Sequence, residues 1–356
     1  MTIRIKDIAE KAGVSTGTVD RVIHKRGNVK KDVRERVELV MSELGYKRNF
    51  IASTLAYNRT LRISALIFNS DPYWTQIKEG IEKAQDATSH YGVRISLHYA
   101  DQRDPKVFGN LAKAILTSRP DAILFAPLFL GEGLKLLRAC RRKSIPAVLI
   151  NTDLDDPGAL CYIGQNSYQS GQLAAKLLHF GIHGEATALL LNLDADSQNA
   201  KHLKDKEQGF RDYFVEKHSK DIQVVSRNFA DYDDKGKLKK FLSETFALYP
   251  DLAGIFVTNS RTYKLIECLE ELEHEDIKLV GFDLISENLT YLRKNRINFL
   301  INQNPVLQGY LGIMNIVNHL LLKQEISPLQ YLPLDIVVIE NCDYYEQSSY
   351  TLPIVM

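Results

Sequence analysis

Cysteine and tryptophan are scarce in this chain of 356 residues, which has four cysteines and a single tryptophan. The cysteines lie far apart and form no C-x-x-C pair, so neither a disulfide framework nor a cysteine-rich metal site is expected. The sequence also lacks an uncharged apolar run of the roughly 18 residues that a membrane helix needs. Because its first residues lack the apolar core of a signal peptide, we expect a cytoplasmic protein with no membrane partner.

Catalytic motifs are missing as well. The sequence has no G-x-S-x-G elbow, no phosphate-binding G-x-x-x-x-G-K-[ST] loop and no H-E-x-x-H pair, and its nine histidines are dispersed. We therefore expect no enzyme, no catalytic residue, no cofactor and no metal.

Net charge is small overall but unevenly distributed. The whole chain carries +1. Residues 1–60 contain 13 Lys and Arg against 7 Asp and Glu, a net +6, which leaves −5 for the remainder. A basic head on a mildly acidic body favours a head that binds a polyanion, although a solvated basic surface would give the same balance.

Apolar periodicity predicts three short helices in the head. The first ends at Gly13, a residue suited to the left-handed conformation that closes helices. Ser15 can cap the second helix, in which Val19 and Val22 point inward. A third helix is expected over residues 31–44. Two short helices joined by a glycine turn are typical of a helix-turn-helix, but a basic three-helix bundle has the same pattern, and both interpretations stay open.

The stretch IKDIAEKAGVSTGTVDRVIHKRGNVKKDVRERVELVMSELGYKRNFIASTLA, residues 5–56, resembles the DNA-binding region of the LacI/GalR family of bacterial regulators. The resemblance implies a homodimer that binds double-stranded, pseudo-palindromic operator DNA. Thr16, Gly17 and Arg21 match the family's groove-reading positions, and Ser15 and Thr18 match positions that contact phosphate. A surface salt bridge is the alternative role for Arg21.

Residues 49–56 match the family's hinge helix, which places a leucine, here Leu55, in the minor groove. Asn49 and Ala52 belong to the same predicted DNA-binding segment, and linker packing is the alternative for Leu55. Gly17 and Asp20 depart from the family pattern, since Gly17 offers no side chain for readout and Asp20 brings a negative charge. These departures bear on the operator sequence more than on the fold.

Beyond residue 60, apolar strands alternate with amphipathic helices, which is typical of parallel sheets built from βαβ units. The expected strands are 63–68, 94–100, 122–127, 147–151, 186–192, 222–229, 253–258, 278–283, 299–303 and 335–341. The expected helices are 73–91, 106–118, 131–143, 167–180, 203–217, 235–248, 263–272 and 305–323. So many strands favour two sheets, and ligands of such sheets bind outside the carboxyl ends of the strands.

The body resembles, more weakly, the periplasmic-binding-protein-like effector domain of the same family, through stretches such as SDPYWTQIKEGIEKA and INQNPVLQGYLG. The expected fold is thus a multi-domain chain: an all-α helix-turn-helix head and a two-lobed α/β domain of the type I class with parallel sheets. We expect a head at 1–48, a hinge helix and linker at 49–60, and an effector-binding and dimerisation domain at 61–356. Lobe 1 is expected at about 61–164 and 288–328, and lobe 2 at about 165–287 and 329–356. The resemblance implies three crossings, near 164–166, 283–288 and 327–332.

Eight residues, seven at the ends of expected strands and Lys206 from the resemblance alone, are predicted to bind a small effector, a sugar or sugar derivative by resemblance. They combine carboxylates, amides and rings, which suit hydroxyl groups and sugar faces. These residues are Asp71, Tyr73, Trp74, Asn151, Lys206, Asn259, Asp283 and Gln303. Strand ends are rich in Asp and Asn for turn formation as well, and Trp74 could belong to the lobe core.

The predicted function is therefore a ligand-responsive transcriptional regulator, in its commoner mode a repressor. Its dimer contacts are expected on the helices at 78–91 and 263–272. The alternatives are control by a protein co-regulator or a sugar phosphate, a solute receptor without regulatory role, and an enzyme on the same scaffold.

Overall fold

The computed structural model describes residues 5–23, 27, 29–44, 60–69, 71–194, 200–216 and 221–347. The chain divides into two compact units, Met1–Asn58 and Arg59–Met356, called the head and the body below. The head contains helices α1 (Ile5–Ala12), α2 (Thr16–Ile23) and α3 (Lys31–Glu43). They enclose a small apolar core that includes Ile8, Val19 and Val37.

The body alternates strands and helices along most of its length. Its strands are β1 (Leu61–Phe68), β2 (Val93–Ala100), β3 (Ala122–Phe125), β4 (Ala147–Ile150), β5 (Cys161–Gly164), β6 (Ala186–Asn192), β7 (Ile222–Asn228), β8 (Leu252–Val257), β9 (Lys278–Phe282), β10 (Phe299–Asn302), β11 (Leu329–Tyr331) and β12 (Asp335–Val337). Its α-helices are α4 (Pro72–Thr88), α5 (Pro105–Ser118), α6 (Leu130–Arg142), α7 (Ser167–Gly181), α8 (Lys201–Glu216), α9 (Lys235–Leu248), α10 (Tyr263–Glu271), α11 (Ser286–Arg293), α12 (Pro305–Leu320) and α13 (Cys342–Gln347). Within the described ranges, no helix is both long and apolar enough to cross a bilayer.

The strands form two six-stranded sheets, each the centre of one lobe. Lobe 1 has the order β11-β5-β4-β3-β1-β2, with all strands parallel. Lobe 2 has the order β12-β10-β9-β8-β6-β7, in which only β12 is antiparallel to its neighbour. Central strands such as β3 and β6 are buried along their whole length, because helices cover both sheet faces. The expected two-lobed α/β architecture is confirmed.

Two of the expected crossings lie elsewhere. The first falls between β5 and α7, at residues 165–166, close to the expected position. The second expectation, 283–288, is wrong: β10 pairs with β9, so residues 288–302 belong to lobe 2, and the chain crosses between β10 and α12. The third comes later than 327–332, because β11 pairs with β5 in lobe 1 before β12 returns to lobe 2.

Glycine allows α4 and α12 to approach closely in lobe 1. A Cβ atom at Gly80 would lie 1.9 Å from the carbonyl oxygen of Val306, and one at Gly309 would lie 2.2 Å from that of Ile77. The two backbones are therefore in direct contact at this crossing, where no larger residue fits.

Candidate functional site

The exposed face of α2 in the head carries the residues predicted to read DNA. Val19 and Val22 are buried against the head core, so this helix has a fixed rotation. Thr16, Gly17 and Arg21 are exposed on the other side. A Cβ atom at Gly17 would meet only Ser15 Oγ, at 3.8 Å, so the helix surface is open at this point. The face is thus accessible and carries one long cationic side chain, that of Arg21.

Ser15 caps the N-terminus of α2. Its Oγ accepts a hydrogen bond from the Thr18 amide at 3.1 Å and lies 2.9 Å from Thr18 Oγ1. Gly13, with φ +62°, turns the chain out of α1, and the Val14 amide donates to the Ala9 carbonyl at 3.0 Å. The turn and cap place the helix N-terminus, which favours anions, beside two hydroxyl groups. The predicted hinge residues Asn49, Ala52 and Leu55 lie outside the described residues.

In the body, the eight predicted effector residues line a single cavity. It opens between the lobes at the carboxyl ends of both sets of parallel strands. Asp71, Tyr73, Trp74 and Asn151 come from lobe 1, and Lys206 and Asn259 come from lobe 2. Asp283 follows β9, and Gln303 begins the crossing into lobe 1. Residues separated by more than two hundred positions therefore meet in one cleft.

Lobe 1 contributes an aromatic wall that is tied to its core. The Trp74 ring packs against Phe68, with centroids 5.0 Å apart, and edge-on against Tyr73 at 5.1 Å. Trp74 is thus a core residue that also faces the cleft. Asn151 adopts a left-handed conformation (φ +66°) and donates from Nδ2 to the Tyr73 hydroxyl at 2.8 Å. Burial raises the pKa of Tyr73 well above its usual value, so its hydroxyl stays protonated.

Lys206 and Asp283 form the charged floor of the cleft. Lys206 Nζ donates to the Thr258 carbonyl at 2.8 Å, and Asp283 Oδ2 accepts from Gln303 Nε2 at 2.7 Å. Among the described residues, the other oxygen, Asp283 Oδ1, is buried and has no hydrogen-bond partner. Burial lowers the pKa of Lys206 and raises that of Asp283, while each charge partly opposes the shift of the other. The floor therefore offers an acceptor beside a donor.

Arg261 is a cleft residue that sequence reasoning missed. It lies two residues after the predicted Asn259, whose Oδ1 accepts from the Arg261 backbone amide at 3.2 Å. Its guanidinium donates to Asp71 Oδ2 at 2.9 Å, so the predicted contact Asp71 is already engaged by a side chain of the other lobe. Burial still raises the pKa of Asp71 above its usual value, although Arg261 lowers it. A charge at the carboxyl end of β8 is the pattern that could have revealed Arg261.

His202 is a second missed residue. It lies one helical turn before Lys206 on α8, and its Nδ1 is 3.1 Å from Thr152 Oγ1 of lobe 1. Burial, together with the charges of Lys206 and Lys201, lowers the pKa of His202 to about 3, so its ring is neutral near pH 7. The i, i+4 spacing from Lys206 places His202 on the same helix face.

Two family models match separate parts of the chain. The model for bacterial regulatory proteins of the lacI family matches residues 4–49, and the periplasmic binding protein domain matches residues 65–324. The first match covers the helices of the head. The second covers both sheets up to α12, including the eight predicted effector residues.

Similar proteins match over part or most of the chain. Catabolite control protein A of Staphylococcus xylosus is 30% identical over 159 residues, 44% of this chain and 46% of that protein, so the match spans about half of each. A protein assigned as a LacI transcriptional regulator from Bacteroides fragilis has 27% identity and a TM-score of 0.74, covering 81% of this chain and all of that one. An ABC transporter solute-binding protein from Agrobacterium vitis, solved with α-D-tagatopyranose, has 24% identity and a TM-score of 0.69, covering 79% and 96%. This last likeness concerns the fold alone.

Proposed function

We propose a function from the premise that this chain belongs to the LacI family of bacterial regulatory proteins, with a periplasmic binding protein domain as its body. It is a cytoplasmic, sequence-specific DNA-binding repressor whose operator affinity is switched by a small sugar-like effector held between the lobes. The observation that carries this proposal is a helix-turn-helix head joined in one chain to a cleft that gathers all eight predicted effector residues.

The exposed face of α2 supports major-groove readout. Arg21 can donate two hydrogen bonds to O6 and N7 of guanine, and the capped N-terminus at Ser15 suits a phosphate. Gly17 leaves room for the backbone to approach the base edges. A pseudo-palindromic operator follows if two heads bind adjacent half-sites, so the proposal includes a homodimer, with contacts on the helices at 78–91 and 263–272.

Selection of binding sequences from a random DNA pool with the full chain would identify the operator. Arg21→Ala is then expected to weaken specific binding by roughly 10- to 100-fold at fixed salt, as loss of one bidentate base contact does. Lys31→Ala, which removes an exposed charge on α3, is the matched control and should change affinity less. Equal affinity of the wild type and Arg21→Ala would remove α2 as the recognition helix.

The cleft chemistry favours an uncharged polyol over a sugar phosphate. Among the described lining residues, Arg261 is engaged by Asp71, and Lys206 already donates one hydrogen bond to the Thr258 carbonyl, so little positive charge is left for a phosphate. The lining carboxylates of Asp71, Asp194 and Asp283 would repel a phosphate. Adjacent hydroxyl groups satisfy the floor, since one can donate to Asp283 Oδ1 while its neighbour accepts from Lys206.

A thermal-shift panel separates these ligand classes. D-Tagatose, D-arabinose, D-allose and D-galactose are suitable probes, with glucose 6-phosphate for the charged class. A shift with a free sugar that is lost in Asp283→Ala supports the proposal, provided that the variant binds operator normally without sugar. A shift with the phosphate alone would replace the polyol by a sugar phosphate, and no shift at all would favour a protein co-regulator.

Switching requires the effector to bind open and closed cleft conformations with different affinity. A coupling of about 1–3 kcal/mol changes operator affinity roughly 5- to 150-fold. The chain crosses between the lobes at three places, and a change in lobe angle about these crossings would alter how two heads of a dimer meet the operator.

A further inference from the structure

We propose that Arg261 is a latch between the lobes: it joins lobe 2 to Asp71 and Gln102 of lobe 1 and stabilises the closed cleft independently of any effector. The inference rests on the proposed function insofar as it concerns the regulation of the same cleft. The latch itself is a property of the body alone.

One guanidinium bonds in both directions. Across the cleft, Arg261 Nη2 donates to Asp71 Oδ2 at 2.9 Å and to Gln102 Oε1 at 2.8 Å. Within lobe 2, Nη1 donates to the Leu193 carbonyl at 2.9 Å and lies 3.7 Å from a carboxylate oxygen of Asp194. Opening the lobes must break the bonds to Asp71 and Gln102, while the contacts with Leu193 and Asp194 hold the guanidinium on lobe 2.

Each partner of the latch is also held in place by contacts within its own lobe. The guanidinium carbon of Arg261 lies 4.5 Å from the centroid of the Tyr232 ring, a contact within lobe 2. On lobe 1, Asp71 caps α4, and its Oδ1 accepts from the Tyr73 amide at 3.0 Å. Little side-chain freedom is therefore lost on closure. The planar fork of arginine suits this geometry, which lysine could not reproduce.

Burial separates the latch from the two other ion pairs that join the lobes within the described residues, Arg103 with Asp233 and Lys201 with Asp155, each of which has a partner more than half exposed. The side chains of Arg261 and Asp71 are 5% and 11% exposed, whereas those of Arg103 and Asp233 are 54% and 55% exposed. Exposed pairs contribute little, because water competes for both partners. A buried pair is costly to break from one side, since a desolvated charge is left behind. Arg103 therefore provides a natural comparison.

The latch sets the fraction of molecules whose cleft is closed before an effector arrives. A ligand that binds the closed conformation has an apparent Kd equal to its intrinsic Kd divided by that fraction. Weakening the latch should therefore reduce effector affinity without changing any atom of Lys206 or Asp283. Asp71 then acts on the effector through Arg261, as a positioning residue.

Trp74 provides a reporter for the test, since it is the only tryptophan and lines the cleft at 2% exposure. Acrylamide quenching of its fluorescence in the full chain, with no sugar present, measures access to the cleft. Arg261→Gln is expected to raise the quenching constant about two-fold or more. Asp71→Asn, which keeps the bond to the Tyr73 amide, should do the same, and Arg103→Gln should match the wild type.

Unchanged quenching in Arg261→Gln and Asp71→Asn, with native circular dichroism, would overturn the latch. If Arg261→Gln fails to fold, Asp71→Asn and Gln102→Ala carry the test. An equal rise in Arg103→Gln would also count against it, because closure would then depend on exposed charge. If the variants show increased quenching but no sugar gives a thermal shift, the latch is supported and the sugar effector is refuted. If a sugar gives a thermal shift but the variants quench like the wild type, the effector is supported and the latch is refuted.

Discussion

The ammonium group of Lys206 lies 3.6 Å from the centroid of the Phe282 ring, one residue before Asp283. The cation therefore has an aromatic face beneath it and a carboxylate in the next residue. Burial leaves both charges poorly solvated, so each depends on the other and on whatever binds above them. The cleft floor is stable enough to fold and still has hydrogen-bonding capacity for a ligand.

Stability of the body should depend on pH through Asp283. Burial raises the pKa of this carboxyl to about 7. Between about pH 4 and pH 7 the folded state holds a proton that the unfolded chain has lost, so the free energy of unfolding falls as pH rises. Asp283→Asn does not titrate, and it should gain roughly 2–4 kcal/mol relative to the wild type across this window.

Urea unfolding at several pH values across this range measures that difference. Loss of the carboxylate also lowers the pKa of Lys206. This change likewise makes the free energy of unfolding of Asp283→Asn rise with pH relative to that of the wild type. Asp86→Asn, at an exposed position on α4, is the control for removal of one negative charge. A difference between wild type and Asp283→Asn that stays constant with pH would refute the assignment.

Replacing Lys206 by methionine should weaken effector binding while the fold remains. Methionine fills a similar volume, keeps contact with the Phe282 ring and removes a buried charge. Loss of a charged donor should lower the affinity for the sugar identified by thermal shift, and the expected decrease is roughly 10- to 150-fold. Isothermal titration of that sugar checks this, and an undiminished affinity would place the ligand away from the floor.

The cap of α2 should contribute to head stability separately from DNA contact. Ser15→Ala removes the side-chain acceptor of the Thr18 amide, leaves its bond to the Ser15 carbonyl at 2.9 Å, and should cost about 1 kcal/mol. Hydrogen exchange of that amide in the full chain would then accelerate roughly five-fold. Thr16→Ala also removes one hydroxyl, but at a position that provides no cap. In this variant the Thr18 amide should exchange at the wild-type rate. Equal protection in Ser15→Ala would show that the Ser15 side chain does not stabilise the helix start, because the backbone bond to the Ser15 carbonyl suffices.

Alanine at two glycines should have opposite effects on stability. At Gly17 the new methyl group meets only Ser15 Oγ, so Gly17→Ala should stabilise the head by up to about 1 kcal/mol. At Gly80 it would overlap the Val306 carbonyl, and Gly80→Ala should destabilise the body by about 3 kcal/mol or more. Calorimetry of the full chain resolves both changes. A body transition unaltered by Gly80→Ala would contradict the close approach of α4 and α12.

Sequence reasoning located the cleft because parallel strands place their carboxyl ends together. Asp283 and Gln303 were predictable from that rule alone, since each directly follows a buried strand. The same rule could have identified Arg261 as a lining residue after β8, but not its pairing, because its partners Asp71 and Gln102 are 190 and 159 residues away and nothing local reveals them. The roles of the DNA-facing residues remain predictions that the experiments above address.

The lobe boundaries were harder to predict than the site. β5 and β11 have only four and three residues, too few to show a period, and neither was expected. β11 has exposed residues at both ends, since it is an edge strand, so apolar runs did not indicate it. β11 belongs to lobe 1 because it forms hydrogen bonds with β5, which lies far away in the sequence, and its local composition does not indicate this.

The pairing of β11 with β5 has a consequence for biosynthesis. Residues 329–331 join residues 162–164 at the edge of the first sheet, and the whole of lobe 2 up to β10 lies between them in the chain. The ribosome must therefore translate most of the second lobe before the first can be completed. The head has its own core within Met1–Asn58 and is finished long before. Each nascent chain thus presents the helices proposed to bind DNA during a period of translation in which the proposed effector cleft does not yet exist.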